Sequence, residues 1–289
     1  IDNLPTSIDI AGIGVKLGKG FSIFVGKQCT AYGGIEFDLN PIEIYEYSDM
    51  IENMSNFMTG LNIGYDINAH QQLNLQILDS RNGSFNKTYG VETEDGEQPT
   101  IESGKLPLVY TLNWNGNFND VFKTRWSASI MNEAKDKNLY YFAFGNELNL
   151  NKFNMFLDFM YSKEGIDRKG IMTGITGSME GHNAFDAGYF SMVTKLNYRF
   201  LPKWNAFVKG MYETASLTKQ QGDLEKGKYR TAWGYFAGVE FYPMDTNLHF
   251  FLTYVGRSYD FTARAKALGQ ENYSTNRVSV GFIYQLPMF

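Results

Sequence analysis

Basic side chains at short, even spacings along the chain are the residues best suited to contact a charged solute. Lys123 and Arg125 form one such pair, and Lys195 and Arg199 form another. In an extended strand, residues separated by an even number of positions lie on one face. Basic groups on a shared face can replace the water that an anion loses on binding. The two pairs are therefore candidate anion contacts.

The polar faces of the predicted strands carry charges of both signs. The predicted basic residues are Lys123, Arg125, Lys195, Arg199, Lys209 and Arg257. The predicted acidic residues are Asp66, Glu147, Asp158, Glu213 and Glu240. Strict selection of an anion requires a continuous run of Lys and Arg, which this nearly balanced set does not provide. The balance predicts a surface that discriminates weakly by charge.

Histidine and cysteine offer little for catalysis or metal binding. His70, His182 and His249 are scattered and show no metal-ligand spacing. The single cysteine, Cys29, excludes a disulfide framework and a cysteine-based zinc site. His182 with the nearby Asp186 is the one candidate for a hydrolytic site. We expect no catalytic residues, no metal and no cofactor.

Strands must position these side chains. Apolar and polar residues alternate over most of the chain, most clearly over 121–131, 189–200 and 277–286, and a period of two is typical of strands. The pattern predicts thirteen strands, at 7–16, 21–27, 56–67, 72–80, 106–115, 121–131, 139–150, 153–162, 185–200, 204–215, 231–242, 248–260 and 277–286. Most have about the 9–11 residues that a tilted strand needs to cross a bilayer.

The connections between these strands favour a membrane barrel over a soluble sandwich. Short connections alternate with long ones, as in outer-membrane barrels with tight periplasmic turns and long extracellular loops. The composition agrees, because 16% of the 289 residues are aromatic, 29 are Gly, and no apolar run is long enough for a membrane-spanning helix. The net charge of -5 argues against nucleic acid as a partner.

We therefore expect an all-β fold, a transmembrane antiparallel β-barrel of the outer membrane, formed as a single domain over 1–289. Barrels of one chain almost always have an even number of strands. The odd count of thirteen predicts about 14 strands, or alternatively 16, with one or more N-terminal strands lacking from the sequence.

The long connection 28–55 combines carboxylates with apolar residues. Its acidic residues are Glu36, Asp38, Glu43, Glu46, Asp49 and Glu52, and it contains no Lys or Arg. Apolar residues such as Phe37 and Tyr45 would be unusual on a solvated loop. We hypothesise that the loop folds inward and constricts the lumen, where its carboxylates oppose the basic residues in a transverse field. The alternative is an external loop that packs on a neighbouring subunit or on the rim.

Residues 25–90 carry the most specific similarity to a known family. They read Gly26-Lys27-Gln28, Gly33-Gly34-Ile35-Glu36-Phe37-Asp38-Leu39-Asn40-Pro41, Tyr45-Glu46-Tyr47-Ser48-Asp49-Met50, Asn53-Met54-Ser55-Asn56-Phe57 and Gln76-Ile77-Leu78-Asp79-Ser80. This region resembles the porin O and P family, the phosphate-selective porins, in its Bacteroides-type branch. The similarity continues as a pattern to Phe289. It implies a trimeric outer-membrane diffusion channel of a Gram-negative bacterium, with a preference for anions or phosphate.

Together these features predict a porin of the bacterial outer membrane and not an enzyme. It would allow passive diffusion of small hydrophilic solutes or ions and would be at most weakly anion-selective. One alternative is a structural or accessory barrel subunit of an outer-membrane complex with a plugged pore, and a third is a barrel hydrolase. The expected partners are outer-membrane lipid, lipopolysaccharide, the solutes or anions, and further copies in a homotrimer or other subunits of a complex.

Overall fold

A computed structural model describes residues 8–81, 83–91, 101–244 and 248–285. They form one antiparallel sheet of thirteen strands, in which each strand pairs with the next along the chain. The strands are β1 (Ala11–Gly18), β2 (Phe21–Cys29), β3 (Phe57–Asn68), β4 (Gln71–Asp79), β5 (Leu108–Phe118), β6 (Phe122–Ala134), β7 (Lys137–Leu150), β8 (Phe153–Ile166), β9 (Phe185–Leu201), β10 (Trp204–Leu217), β11 (Gly227–Phe241), β12 (Leu248–Phe261) and β13 (Tyr273–Tyr284).

The helices are short and lie in the long connections. They are α1 (Ile35–Asp38), a 3₁₀ turn (Pro41–Glu43), α2 (Asp49–Glu52), α3 (Phe85–Tyr89), α4 (Ile171–Thr176) and α5 (Ala263–Lys266). No helix in the described ranges is long and apolar enough to cross a membrane.

All thirteen predicted strands are present, and the all-β barrel prediction is confirmed. The boundaries differ most at the ends next to the long connections, where β8 runs to Ile166, β11 begins at Gly227 and β13 begins at Tyr273. The predicted long connection 132–138 is wrong, because β6 and β7 continue until a tight turn at 135–136. The period of two fades there, since beyond the bilayer a strand needs no apolar face to keep its backbone hydrogen bonds.

The ends of two predicted strands, residue 7 of the first and residue 286 of the last, lie outside the described residues. Within the described residues, β1 and β13 each pair with one neighbour only. The expectation of further N-terminal strands stays a prediction.

The two faces of the sheet differ as the alternation predicts. Large apolar side chains on the outer face are exposed, among them Phe144, Val208 and Leu252. The residues beside them in sequence point inward and are buried, such as Ala143 and Lys209. An apolar outer face without a protein partner is typical of a barrel whose outer surface meets lipid.

A charge on the outer face is expected to destabilise the barrel. Val208→Lys places an ammonium on β10, whose outer face meets lipid, and should lower the free energy of unfolding by about 2–4 kcal/mol. Urea unfolding in lipid vesicles measures this change. Gln220→Lys, on the exposed connection after β10, is the control and should leave the midpoint unchanged. Equal midpoints for both variants would contradict the assignment of this face to lipid.

Candidate functional site: the inner loop and the lumen

The connection between β2 and β3, residues 30–56, lies against the inner face of the sheet. We call it the inner loop. It contains α1, the 3₁₀ turn and α2, and it makes hydrogen bonds or ion pairs with β4, β6 and β8 to β13. The contacts therefore extend across most of the sheet.

Asp158 on β8 fixes the start of α1. Its carboxylate accepts hydrogen bonds from the backbone N–H of Ile35 at 2.9 Å and of Glu36 at 2.7 Å. These N–H groups begin a helical turn and have no partner within it, so a carboxylate from another element satisfies them. A wall residue thus holds the first half of the inner loop.

Close backbone packing holds the same segment. The N–H of Gly34 donates to the carbonyl of Arg125 at 2.9 Å. Gly34 has a φ of 87°, which residues with a side chain rarely adopt. On β7, a Cβ at Gly145 would lie 2.7 Å from the Cα of Gly34. Glycine on both elements therefore allows the loop to touch the wall.

A buried ion pair joins the middle of the inner loop to β10. The Nζ of Lys209 lies 2.5 Å from the carboxylate of Glu36, and both side chains are almost fully buried. Lys209 also donates to the carbonyl of Glu46 at 2.7 Å, and the hydroxyl of Ser48 donates to Glu36 at 2.5 Å. Buried charges are stable only when a partner and hydrogen bonds offset their lost hydration, and Glu36 and Lys209 have both.

A second charge cluster holds α2 against β10, β11 and β12. Asp49 forms ion pairs with Arg230 and, at 3.1 Å, with Arg257. Glu213 pairs with Arg257 and accepts a hydrogen bond from the N–H of Asp49 at 2.7 Å. Arg257 also reaches Glu46 at 3.5 Å. The two arginines therefore neutralise carboxylates from both the loop and the wall.

Apolar packing inside the barrel is the main difference from the expected lumen. The ring of Tyr45 stacks on Phe207 with centroids 5.2 Å apart, and it also contacts Phe251. The Tyr45 hydroxyl donates to Glu240 at 3.0 Å. Burial, and then the charge of Glu240, raise the pKa of Tyr45, so this hydroxyl remains a neutral donor. Inward-facing aromatic side chains of the wall thus pack against apolar residues of the inner loop.

Further loop residues continue this core. Its buried members from the inner loop are Tyr32, Ile35, Met50 and Ile51, and those from the walls include Tyr141, Phe156, Met211, Phe236 and Val255. The sequence pattern predicted that the polar faces of the strands line the lumen. The structure adds apolar wall residues that pack against the loop.

The structure brings the predicted basic residues to the inner face, where most of them form ion pairs with carboxylates of the loop or the wall. Besides Lys209 and Arg257, Arg125 forms an ion pair with Asp38 at 2.6 Å. Lys123 pairs with Glu147 of the neighbouring strand at 3.6 Å and not with the loop.

The other two predicted cations have no carboxylate partner within the described residues. Lys195 donates to the backbone carbonyl of Glu43 at 3.4 Å. Arg199 lies over the ring of Tyr242, 5.6 Å from its centroid. Neither cation therefore forms an ion pair among the described residues, although Glu43 and Glu240 line the same cavity as both of them.

The predicted acidic residues fall into two groups. Glu147, Asp158, Glu213 and Glu240 take part in the inner contacts described above, whereas Asp66 is exposed near a short turn and accepts a hydrogen bond from Gln72 at 2.8 Å. In the loop, the carboxylates of Glu36, Asp38, Glu46 and Asp49 pair with Lys or Arg of the wall. Glu43 and Glu52 are exposed.

Two basic residues of the site were missed from the sequence. Arg230, which pairs with Asp49, lies one residue before the predicted start of its strand. Arg277 on β13 reaches Glu46 at 3.5 Å and donates to the carbonyl of Tyr45 at 2.8 Å. Both occupy inward positions of the alternation. One further step of the period of two would have reached Arg230, and Arg277 is the first residue of its predicted strand.

The candidate hydrolytic pair is not assembled. The Nδ1 of His182 lies 2.7 Å from the carbonyl of Asn183, and its ring packs on Phe185 with centroids 4.2 Å apart. Asp186 forms an ion pair with Lys219 at 3.0 Å. The two residues therefore have separate structural partners.

A cavity of about 650 Å³ lies between the inner loop and the short connections. Residues 150–153 and Pro202 of the short connections border it, and Leu39, Ile42 and Glu43 of the inner loop close it on the other side. This end of the lumen is therefore a polar vestibule, whereas the region beside the loop is packed.

Solved outer membrane proteins have a similar fold. The outer membrane channel DcaP of Acinetobacter baumannii is 12% identical, with a TM-score of 0.62 over 91% of this chain and 71% of that chain. OmpT, an outer membrane protein of Vibrio cholerae, is 11% identical, with a TM-score of 0.54 over 92% of this chain and 76% of its own. At these identities the likeness is one of fold. No curated protein matches the sequence significantly.

The family assignment comes from the sequence as a whole. The family model described as phosphate-selective porin O and P matches residues 2–286. The match covers nearly the whole chain, including the inner loop and all thirteen strands. The chain belongs to the phosphate-selective porin O and P family, and it is a porin of the bacterial outer membrane through which small hydrophilic solutes diffuse passively.

Proposed function

We propose that the inner loop constricts the lumen and that the remaining passage is at most weakly anion-selective. The observation that carries this proposal is the pairing of four loop carboxylates with basic residues of the wall. Paired charges produce a weaker field in the passage than isolated ones, because each cation is compensated a few ångströms away. Such a passage admits small hydrophilic solutes and ions without tight binding and without catalysis.

The residual preference follows from the cations that form no ion pair. We assign the positive wall to Lys123, Arg125, Lys195, Arg199, Lys209 and Arg257, and the negative wall to Asp66, Glu147, Asp158, Glu213, Glu240 and the loop carboxylates. Lys195 and Arg199 contribute most to anion preference, since neither has a carboxylate partner among the described residues. Two such cations fall short of the basic ladder that selects phosphate.

Planar-bilayer recording of the purified protein tests the proposal. We expect steady single-channel currents and a reversal potential in a potassium chloride gradient that corresponds to a Cl⁻/K⁺ permeability ratio only slightly above unity. Addition of inorganic phosphate should change the current only as far as the mobility of the phosphate ion differs from that of chloride, without saturable block. Strong anion selectivity together with saturable block by phosphate would contradict the weakly selective passage.

Removing one cation that forms no ion pair should shift selectivity without closing the channel. Arg199→Gln is expected to lower the Cl⁻/K⁺ permeability ratio by about twofold, because the local potential falls by roughly the effect of one partly screened charge. Lys135→Gln, which removes an exposed charge paired with Glu102, is the matched control and should leave the ratio unchanged. A similar shift in both variants would argue against Arg199 as a determinant.

A plugged accessory barrel is the second candidate, and the core between the inner loop and the walls favours it. Buried loop residues such as Tyr32 and Met50 fill the lumen at that level. A plugged subunit would give no steady current, whereas deletion of 35–52 would open it. The open porin requires measurable current from the intact protein. No current from the intact protein, followed by current after the deletion, would favour the accessory role.

We further propose that the barrel assembles as a homotrimer and contacts lipopolysaccharide, as the family resemblance implies. Light scattering of the detergent complex measures the number of copies. A mass of three chains is expected, and a mass of one chain would contradict the trimer.

A further inference from the structure

A row of asparagines crosses the wall of the vestibule on three adjacent strands. Asn154 on β8, Asn197 on β9 and Asn205 on β10 all line the cavity, and Glu147 and Glu240 end the row on either side. We call these three asparagines the amide belt. None of the three asparagines was predicted as a site residue, because the sequence pattern was interpreted only for the charged residues of the lumen.

The belt is connected by hydrogen bonds. Asn154 donates to Glu147 at 2.6 Å, and Asn197 donates to the carbonyl oxygen of Asn154 at 3.2 Å. Asn205 donates to Asn197 at 3.4 Å and to Glu240 at 2.9 Å. The direction of each amide is therefore set by its neighbours and by the terminal carboxylates, which makes the belt a preorganised surface.

The belt keeps hydrogen-bonding capacity for a ligand. An asparagine side chain has two N–H donors and an oxygen with two lone pairs. In the described contacts, Asn154 and Asn197 each use one N–H and retain the other, and the oxygen of Asn205 has no donor. The belt thus offers donors and an acceptor side by side, which matches a hydroxyl group that both donates and accepts.

Aromatic rings border the same cavity. The rings of Tyr242 and His249 stack with centroids 5.1 Å apart, and Phe153 also lines the space. Pockets for small organic ligands combine such apolar surfaces with a few fixed polar groups and have volumes of roughly 300–1,000 Å³. The cavity, at about 650 Å³, fits this description.

The charges of the cavity are balanced and give it no general preference for an anion. Glu43, Glu147 and Glu240 line it together with Lys152, Lys195 and Arg199. An anion that reached the amide belt would lie beside the carboxylates that end the row. A neutral solute would meet the same amides without that repulsion.

We propose that the vestibule contains a weak binding subsite for neutral polyhydroxylated solutes, of the size of a monosaccharide or disaccharide. The amide belt binds the hydroxyl groups, and the aromatic rings cover the apolar faces of the sugar ring. The proposal deepens the proposed function and depends on it, because the solute must pass through the lumen that the inner loop constricts. A subsite of this kind increases the local concentration of the solute while allowing it to leave.

Sucrose, glucose and a polyethylene glycol of matched hydrodynamic size test the subsite in planar bilayers. Each sugar is expected to reduce the single-channel current in a saturating manner, whereas the polymer, which has few hydroxyls, should give only a linear reduction. A site built for hydroxyl groups rejects analogues that lack them. Equal, non-saturating effects of sugar and polymer would overturn the proposal while leaving the porin function intact.

Binding to the protein in detergent distinguishes the failure of the subsite from the failure of the passage. If the channel is silent, the proposed function fails, and isothermal titration with sucrose still decides the subsite. Heat that saturates with sucrose but not with the polymer supports it, and heats of dilution alone overturn it.

Asn197→Leu tests the belt at its centre. Leu has nearly the same size but no hydrogen-bonding group, so the sucrose concentration for half-maximal effect should rise about tenfold, the factor expected for a loss near 1.4 kcal/mol. Asn62→Leu, at a half-buried asparagine of β3 outside the cavity, is the control and should keep the wild-type value. Unchanged conductance without sugar checks that both variants are folded.

Discussion

Lys209→Met should release the inner loop from the wall and increase both the mean current and its noise. The substitution leaves the Glu36 carboxylate buried without its cation, and breaking a buried pair in this way costs about 3–5 kcal/mol. It also removes the donor to the Glu46 carbonyl. Undocking of the loop relieves this cost, because Glu36 can then reach water. Single-channel recording measures the change.

Two comparisons make this result specific. Lys135→Met removes a lysine whose ion pair with Glu102 is well exposed, and exposed pairs contribute little. It should leave the traces unchanged. The double variant Glu36→Gln with Lys209→Met removes both charges and should restore much of the quiet wild-type current. A quiet trace from the single variant would contradict the role of this pair in docking.

Gly145→Val is the second change with a large expected effect. Its Cβ would lie 2.7 Å from both the Cα of Gly34 and the backbone N of Ile35, and 2.9 Å from the carboxylate of Asp158. Backbone atoms at these distances must move. We expect the start of α1 to separate from the wall at a cost of about 1–3 kcal/mol, with loss of the hydrogen bonds to Asp158.

Limited proteolysis measures this separation, because a loop held inside the barrel is protected from cleavage and a released one is exposed. The variant should be cut within 30–56 and the wild type should not. Gly210→Ala is the control, since its nearest contact would be an ordinary 3.7 Å to Thr194. Protection of 30–56 in Gly145→Val would contradict the close packing between the loop and β7.

The strands could be predicted from the sequence because their signal is local. A period of two is visible within ten residues, and in a barrel it also tells which residues face inward, as for Lys195 and Lys209. The boundaries next to the long connections could not be read in this way. Residues 227–230 precede the predicted start at 231, and their backbone pairing with β10 continues beyond the clear alternation that marked the strand.

The contacts of the site could not be predicted because they join distant parts of the chain. Glu36 and Lys209 are 173 positions apart, and Asp49 and Arg257 are 208 apart. The acidic composition of the loop indicated basic partners, but which carboxylate meets which cation depends on the height of each residue on the wall. Strand register sets that height, and the sequence alone leaves it open.

The amide belt also could not be predicted, because its neutral residues come together only through strand register. Asn154, Asn197 and Asn205 are unremarkable in separate predicted strands, and only the register that pairs Asn154 with Asn197 places them side by side. Apolar residues at inward positions of the strands are a second feature that the sequence alone does not explain. Phe207 and Met211 look out of place in a polar lumen until the inner loop covers them.

An experimental density map of the protein in detergent or nanodiscs would show where the inner loop lies. We expect density for residues 30–56 inside the barrel, with the Tyr45 ring stacked on Phe207 and Glu36 within hydrogen-bond distance of Lys209. Density for this segment outside the barrel, on the rim or against a neighbouring subunit, would contradict it.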